Sequence, residues 1–273
     1  RFRAYSGTVN KSKVFNFRSG SFVLRNIDGL GPVKASLTSL EVPEEAGGVF
    51  LTAYTPKRNI VITIGFDPDY SVGASVTALR NELYQIFPIG YEIEMDFLTT
   101  HKGLMTIKGI VESNEPNIFS DDPQAVVSVI CFQPYFKSTS GIVTVPYTFA
   151  PAPGNPIVYP GEVEAGFLMQ VTLASGATGN SIFFRKNDVY NSMNFGLANF
   201  TKQNGDIIKF SSVRNDKYVQ YVRSAQTFNA LGLFRGSLTN LALVPGENII
   251  TWSPDATVLT NGSISYEPLY AGL

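Results

Sequence analysis

The segment Ile107–Phe136, IKGIVESNEPNIFSDDPQAVVSVICFQPYF, decides how the chain is organised. It overlaps one strand-like run, Leu104–Val111, and contains a second, Ala125–Phe132, after a connection rich in Pro, Asn, Asp and Ser. The second run is nearly continuous in apolar and β-branched residues and ends at Gln133-Pro134. It is too short for a core helix, so it predicts a buried strand.

The composition changes directly after this strand. Residues 137–165 contain five prolines among Gly, Thr and Ala, namely Pro146, Pro151, Pro153, Pro156 and Pro160. Such a stretch is typical of a linker between domains. We therefore expect one domain at residues 1–145 and a second at residues 146–273, which begins with the proline-rich connector.

Length and composition favour a protein that associates with others. The chain has 273 residues, of which 44% are hydrophobic, enough to build sizeable cores. Its net charge is −1 and only 16% of its residues are charged, against roughly 25% in typical soluble domains. Little charge repulsion separates copies of such a protein, which is typical of an assembly subunit. The sequence also lacks the basic cluster expected of a nucleic-acid binder.

The single cysteine, Cys131, excludes an intrachain disulfide framework and a cysteine-based zinc site. Its place in an apolar run predicts a buried thiol. No apolar segment approaches the roughly 18 residues that span a bilayer, so we expect no membrane insertion. Residues 1–7 contain no signal-peptide apolar region, and we expect synthesis in the cytoplasm.

The first domain is predicted to contain one helix packed on a sheet. Asn59–Gly65 is an apolar run typical of a buried strand. From Val76 to Phe87, apolar residues recur at helical spacing, which predicts an amphipathic helix. Ser75 or Thr77 is placed to cap its start, and Pro88 ends it.

Three carboxylates alternate with apolar residues in the strand-like run Tyr91–Leu98. Strand geometry places Glu92, Glu94 and Asp96 on one face, with neighbours roughly 7 Å apart. That spacing suits a pair of glycosidase carboxylates, and it equally suits the solvated face of an amphipathic strand. A third hypothesis is that these residues line an acidic channel that repels nucleic acid.

Other catalytic signals are weak. His101, the only histidine, lies in a predicted hairpin loop, and the chain has neither a Gly-x-Ser-x-Gly elbow nor a phosphate-binding glycine motif. The acidic pairs Asp67/Asp69 and Asp121/Asp122 stand beside prolines in turn-like contexts. We therefore predict no enzyme activity, no metal site and no cofactor.

The second domain is predicted to be an antiparallel β-sandwich, because short strand-like runs alternate regularly with turn residues. Trp252 is a candidate for docking a carbohydrate or a partner protein, although its alternating run also fits a core residue. A set of tyrosines would suit an exposed interface, or would be ordinary strand residues: Tyr218, Tyr221, Tyr266 and Tyr270.

Short segments spread from about Ile27 to Leu273 carry a resemblance to a known family. They are Ile27–Pro32, Gly47-Gly48 with Arg58–Ile62, Leu83–Phe87, Ile107–Glu112, Val129–Phe136, Leu243–Asn248 and Ser265–Leu273. In their order and spacing the chain resembles the distal tail proteins of tailed bacteriophages, the siphovirus-type tail component family. Gln133 departs from the pattern, since Asp is commoner there.

The resemblance implies a mainly β fold, with a split-barrel-like N-terminal β domain that has one α-helix and a galectin-like C-terminal sandwich. It implies a structural virion protein at the tail tip or baseplate, made in the cytoplasm of a host bacterium. Six copies would form a ring that joins the tail tube to the host-adhesion apparatus and leaves a central channel for DNA. The implied partners are the tail tube protein, a tail-associated hub or lysin protein, and receptor-binding or other baseplate proteins.

Two other functions follow from the residues alone. The sandwich could be a carbohydrate-binding module that recognises host cell-wall sugars through Trp252. The alternative enzyme would be a glycosidase that uses two of Glu92, Glu94 and Asp96.

Overall fold

The fold is mainly β. The computed structural model describes residues 2–4, 13–15, 21–41, 46–72, 75–147, 156–173, 181–186, 189–194, 203–252 and 259–273. Strands account for 56% of the structure, and the described residues contain one α-helix. A curled half-barrel sheet is accompanied by further antiparallel sheets, so the predicted fold class is confirmed.

The chain divides into two compact units. Unit 1 consists of residues 1–139 together with residues 270–273, and unit 2 consists of residues 140–269. Unit 2 is therefore an insertion in the chain of unit 1. The chain leaves unit 1 after Thr139, whereas the expected boundary is at residue 145. The expected division does not include the return of residues 270–273 to unit 1.

Unit 1 is built on a nine-stranded sheet. The strands introduced in this unit are β1 (Phe2–Ala4), β2 (Lys13–Phe15), β3 (Phe22–Asp28), β4 (Ser36–Glu41), β5 (Gly48–Tyr54), β6 (Arg58–Phe66), β7 (Glu92–Thr99), β8 (Gly103–Asn117), β9 (Gln124–Cys131) and β10 (Phe136–Ser138). The main strand order is β2-β1-β7-β8-β9-β6-β3. Strand β10 pairs with β8 and with the late strand Leu269–Tyr270. A 3₁₀ turn, Tyr70–Val72, precedes the helix.

The helix α1 (Val76–Ile86) covers one face of this sheet. Its buried residues Leu79, Leu83 and Ile86 share a core with β6, whose alternate residues are fully buried. The Ser75 hydroxyl accepts a hydrogen bond from the Ala78 amide at 3.2 Å, which caps the first turn. The predicted helix and its Ser75 cap are thus confirmed.

Strand β8 is longer than predicted, because it continues past Val111 through Pro116 to Asn117. A β-bulge between Val111 and Ser113 shifts its register against β9. The pairing with β7 ends at Ile110, so the missing amide of Pro116 leaves no ladder hydrogen bond unmade on that side. The extension brings Asn114 beneath α1, where its amide donates to the carbonyls of Leu83 and Phe87.

Strands β4 and β5 form a separate two-stranded sheet. They pair antiparallel from Ser36↔Tyr54 to Glu41↔Gly48, with an irregularity at Leu51. Every residue of the two strands is exposed except Ser36, which is half-buried. We call this element the β4–β5 hairpin.

A buried arginine ties the distant segments of unit 1 together. Arg58 is only 2% exposed, and its guanidinium donates to the carbonyls of Gly29, Gly31, Pro134 and Ala271 at 2.5–2.7 Å. Its charged end lies 4.6 Å from the centre of the Phe136 ring. We call this arrangement the Arg58 node.

The close approach at the Arg58 node also requires a glycine. Gly29 has φ +86°, and a Cβ atom there would lie 2.0 Å from the carbonyl oxygen of Asn59. Residues 270–273 are held by two further bonds, from Lys102 Nζ to the Gly272 carbonyl at 2.7 Å and from the Leu273 amide to the Leu30 carbonyl at 3.0 Å. The turn after β3 and the segment 270–273 therefore meet on unit 1.

Unit 2 is an antiparallel β-sandwich. Its strands are β11 (Val143–Tyr147), β12 (Pro156–Tyr159), β13 (Phe167–Leu173), β14 (Ser181–Lys186), β15 (Val189–Asn194), β16 (Ile207–Ser211), β17 (Tyr218–Arg223), β18 (Gln226–Asn229), β19 (Phe234–Arg235), β20 (Gly246–Trp252) and β21 (Leu259–Tyr266); Leu269–Tyr270 is β22. One sheet has the order β11-β21-β13-β16-β17-β18 and the other β12-β20-β14-β15-β19. Two 3₁₀ turns, Leu231–Leu233 and Leu238–Asn240, flank β19.

The two sheets of unit 2 share one hydrophobic core. Phe167, Met169 and Phe210 from the first sheet and Tyr159 and Ile250 from the second belong to the same buried cluster. Alternation of buried and half-buried residues along β13 shows that one face of the strand is turned to this core. The predicted sandwich is confirmed.

Removing the guanidinium should destabilise unit 1 strongly. We expect Arg58→Met to lower its free energy of unfolding by about 3 kcal/mol or more, because four carbonyls lose their donor in a buried place. Urea unfolding followed by circular dichroism would measure the change in the free energy of unfolding.

The matched control is Arg25→Met. Arg25 is exposed and pairs with Asp122 at 2.9 Å, an interaction worth less than about 1 kcal/mol at the surface. Equal losses of unfolding free energy from the two substitutions would contradict the structural importance assigned to Arg58.

Candidate functional site

The face of the nine-stranded sheet opposite α1 carries a set of charged side chains. Strand alternation turns Ile93, Met95 and Ile107 into the core, so their sequence neighbours point to the other side. We define the charged face by these residues: Arg25, Asp28, Glu92, Glu94, Lys108, Glu112 and Glu115. Carboxylates outnumber cations there, so the face is acidic.

Two of the predicted carboxylates share a lysine. Glu94 lies directly opposite Lys108 in the register of β7 and β8, and Lys108 Nζ is 3.4 Å from Glu94 Oε2 and 4.0 Å from Glu92 Oε1. Lys108 and Glu92 are largely exposed, so water screens these attractions and they contribute little stability. Lys108 offsets part of the negative charge of the pair.

Asp96 differs from its two neighbours because it is buried. Its exposed fraction is 3%, and it lies opposite Thr106 in the register. Alternation places the three carboxylates on one side of β7, yet only Glu92 and Glu94 reach solvent. The channel-lining role of Glu92, Glu94 and Asp96 stays a prediction.

Glu112 and Glu115 belong to the charged face although their spacing suggests opposite faces. The bulge at Glu112 shifts the alternation of β8, so that Glu115 pairs with the exposed Val126. Ser128 Oγ lies 2.8 Å from Glu112 Oε2 and 3.0 Å from Asn59 Oδ1, which fixes the Glu112 carboxylate over the sheet. A bulge of this kind has no clear signal in the sequence, and these residues were missed.

Cys131 is a core residue, as the sequence predicted. It is fully buried against Gly109, where an added Cβ would lie 2.8 Å from its sulfur. Burial raises the pKa of the Cys131 thiol to about 12, an effect that the positive charge of Arg58 opposes only in part. The thiol is therefore protonated near neutral pH and is a poor nucleophile.

Unit 2 contains a buried carboxylate with a complete set of partners. Asp206 accepts hydrogen bonds from the Tyr221 hydroxyl, from Arg223 Nε at 3.0 Å and Nη2 at 2.7 Å, and from the Gln203 amide at 2.6 Å. Burial disfavours the ionised form, but the bonds from Arg223, Tyr221 and Gln203 outweigh it and hold the pKa of Asp206 below its ordinary value. This arrangement is structural, because it ties β16 to β17.

The aromatic candidates of unit 2 have different outcomes. Tyr221 and Tyr266 are buried in the sandwich core, so the idea of an exposed band formed by all of the tyrosines is wrong. Strand alternation turns every second side chain towards the core, and Tyr221 and Tyr266 occupy such inward-facing positions. The backbone of Trp252 pairs with Phe184, while its side chain lies outside the described part of the structure. Its docking role stays a prediction.

His101 occupies the turn between β7 and β8 and is exposed, as predicted. Among the described residues, no group of three or more His, Cys, Asp or Glu side chains is placed to hold a metal ion. Over the same ranges, no helix combines the length and the apolar character needed to cross a bilayer.

The chain has the fold of SPP1 Dit (gp 19.1). The TM-score is 0.67 at 11% sequence identity, and the match covers 91% of this chain and 93% of that chain. That protein is described as a paradigm of the hub of the adsorption apparatus in phages that infect Gram-positive bacteria. The sequence resemblance to phage distal tail proteins is thus confirmed at the level of the fold.

Chains in the activated baseplate of phage P2 are more distantly similar. The baseplate with Ca gives a TM-score of 0.44 at 10% identity, covering 98% of this chain and 97% of that chain. The baseplate with Sr gives 0.43 at 10% identity, with 97% of each chain covered. No protein-family model and no curated protein sequence matches the chain.

The Asp206 cluster should make unit 2 sensitive to acid. A carboxylate with a depressed folded-state pKa stabilises the fold above its unfolded-state pKa, about 3.9, and this stabilisation is lost as the pH falls through the folded-state value. We expect Asp206→Asn to unfold more easily than the wild type at pH 7. The difference should shrink as the pH is lowered below about 4.

Thermal unfolding between neutral and acidic pH would measure this difference. Asp216→Asn serves as the control, because Asp216 is an exposed carboxylate in the turn before β17. A difference between wild type and Asp206→Asn that stays constant over the whole range would contradict the prediction.

Proposed function

We propose that this chain is a structural subunit of a bacteriophage tail tip, where it forms part of the adsorption hub. The observation that carries the proposal is the shared fold with SPP1 Dit, which extends over nine-tenths of both chains and so includes both units. The mainly β architecture and the low content of charged residues are compatible with a subunit whose surfaces serve assembly. The protein acts through these surfaces and not through catalysis.

Six copies of the chain close into a ring in this proposal. A ring arises from heterologous contacts, in which one patch of a subunit meets a different patch of the next, and closure satisfies every patch. Unit 1 supplies the ring, and the chain joins the tail tube to the host-adhesion apparatus. Its partners are the tail tube protein, a tail-associated hub or lysin protein, and receptor-binding or other baseplate proteins that dock on unit 2.

The charged face lines the central channel of the ring. Glu92, Glu112 and Glu115 are exposed carboxylates on the neighbouring strands β7 and β8, Asp28 is an exposed carboxylate on the edge strand β3 of the same sheet, and Lys108 offsets only part of their charge. DNA carries a dense negative charge, and a protein binds it without sequence preference only through lysine and arginine contacts to phosphates. An acidic wall therefore lets the genome pass without holding it.

Electron microscopy of the purified protein tests the ring. We expect ring-shaped particles and, by light scattering at micromolar concentration, a mass about six times the 29.8 kDa of the chain. The protein should also be imaged together with the tail tube protein, its proposed partner. Particles without a ring in both preparations would overturn the proposal.

Reversing charge on the proposed channel wall should create DNA binding. We expect Glu92→Lys/Glu115→Lys rings to retain double-stranded DNA in a gel-shift assay, with affinity falling about tenfold or more between about 50 and 200 mM salt. Wild-type rings should not retain DNA under these conditions.

The matched control is Glu82→Lys, since Glu82 is exposed on α1, away from the charged face. Equal DNA binding by the control and by the double variant would show that any added positive charge suffices. The channel assignment of the charged face would then fail.

A further inference from the structure

The segment 270–273 is bound to unit 1 by polar and apolar contacts. The Gly272 carbonyl accepts a hydrogen bond from Lys102 Nζ at 2.7 Å, and the same ammonium lies 5.4 Å from the centre of the Tyr270 ring. Tyr270 and Leu273 pack against the buried core of unit 1. The segment is therefore held by a charged donor and by apolar contact at the same time.

The turn 29–32, which follows β3, depends on this segment for one of its hydrogen bonds. The Leu30 carbonyl accepts from the Leu273 amide at 3.0 Å. The carbonyls on either side of it, those of Gly29 and Gly31, belong to the Arg58 node. The turn has no strand ladder of its own, so the node and the segment together hold three successive carbonyls.

The segment and the turn also approach each other closely at a glycine. Gly272 is buried, and a Cβ atom there would lie 2.9 Å from both Cδ and the backbone nitrogen of Pro32. A side chain at this position would therefore push the segment away from the turn. Ser36, the first residue of β4, comes shortly after Pro32, so the turn that the segment holds is the root of the β4–β5 hairpin.

Unit 2 holds its own two ends next to each other. Val143 on β11 pairs directly with Tyr266 on β21, and both residues stand close to the ends of the unit. Leu269, its last residue, is fixed within unit 2, since its amide donates to the Tyr159 hydroxyl at 2.9 Å. Tyr270 follows in the chain without any linker residue, so the start of the segment is positioned by a folded unit 2.

This arrangement makes docking of the segment depend on the fold of unit 2. With unit 2 folded, the pairing of its ends leaves about ten residues of chain to be closed when the segment binds. With unit 2 unfolded, the same contact closes a loop of about 130 residues. The entropy of loop closure grows with the 3/2 power of length, so binding of the segment weakens roughly fiftyfold.

We propose that the segment 270–273 is a conformational coupling device, which fixes the turn 29–32 while unit 2 is folded and releases it when unit 2 unfolds. Release removes the donor of the Leu30 carbonyl and one acceptor of the buried Arg58 guanidinium, so the turn and the root of the β4–β5 hairpin loosen. This inference goes beyond the proposed function, because it concerns a single chain. Its tests use the isolated protein, and their outcomes leave the hub proposal untouched.

Trypsin cleavage after Lys34 measures release of the turn. Lys34 is exposed and follows the turn, whereas Lys108 lies within β8 and is cut only when unit 1 unfolds as a whole. We expect Gly272→Ala and Lys102→Met each to raise the cleavage rate after Lys34, relative to Lys108, at least about fivefold. The first forces the segment away from Pro32, and the second removes its ammonium donor. Mass spectrometry of the fragments measures both rates.

Two matched substitutions outside the segment serve as controls. Gly232→Ala adds a methyl group where the structure leaves open space. Lys217→Met removes a comparable lysine bond, 2.9 Å to Thr239 Oγ1 in unit 2. Both proteins should keep the wild-type cleavage ratio. A wild-type ratio in both segment variants, or an equal rise in the controls, would overturn the proposal.

Unfolding of unit 2 alone tests the dependence of the turn on that unit. Asp206→Asn weakens unit 2, and Lys209 on β16 becomes cleavable when the unit unfolds. In a temperature series at neutral pH, cleavage after Lys34 should rise together with cleavage after Lys209 and before cleavage after Lys108, by up to roughly fiftyfold. Cleavage after Lys34 that rises only with Lys108 would overturn the coupling. Equal shifts at all three sites would show that unit 2 supports the whole of unit 1, which overturns the local role of the segment.

Discussion

The fold of unit 1 depends on the burial of one positive charge. The Arg58 guanidinium is buried, and it donates its hydrogen bonds to carbonyl oxygens and not to a carboxylate. Burial lowers the pKa of Arg58, and four carbonyl dipoles and the Phe136 ring compensate for the lost hydration. Those carbonyls come from three separate parts of the chain. Each part must therefore be in place before the charge is fully hydrogen-bonded, so the Arg58 node forms only when the fold of unit 1 is complete.

The two faces of the nine-stranded sheet have different tasks. One face holds the apolar core under α1, while the other presents carboxylates whose positions are set by strand register and by the bulge at Glu112. Among the described residues, the buried Cys131 is protonated and Asp206 is held by Tyr221, Arg223 and Gln203, so both side chains serve the fold.

Hydrophobic periodicity predicted the helix and the strands better than it predicted which side chains are buried. The α1 helix, the strand that contains Cys131 and the sandwich of unit 2 followed from local spacing, since each depends on the sequence of a single segment. Burial of Asp96, Tyr221 and Tyr266 did not follow, because alternation assigns a face without showing what covers it. The Arg58 node was beyond local reasoning altogether, since Arg58 and Ala271 are 213 positions apart.

The insertion of unit 2 between Thr139 and Tyr270 also sets an order of events during synthesis. Strands β1–β10 leave the ribosome early, but the Ala271 carbonyl that completes the Arg58 node is made only after all of unit 2. At about 5–20 residues per second, that interval lasts roughly 7 to 27 seconds. Unit 1 consequently stays incomplete until the whole of unit 2 has been translated.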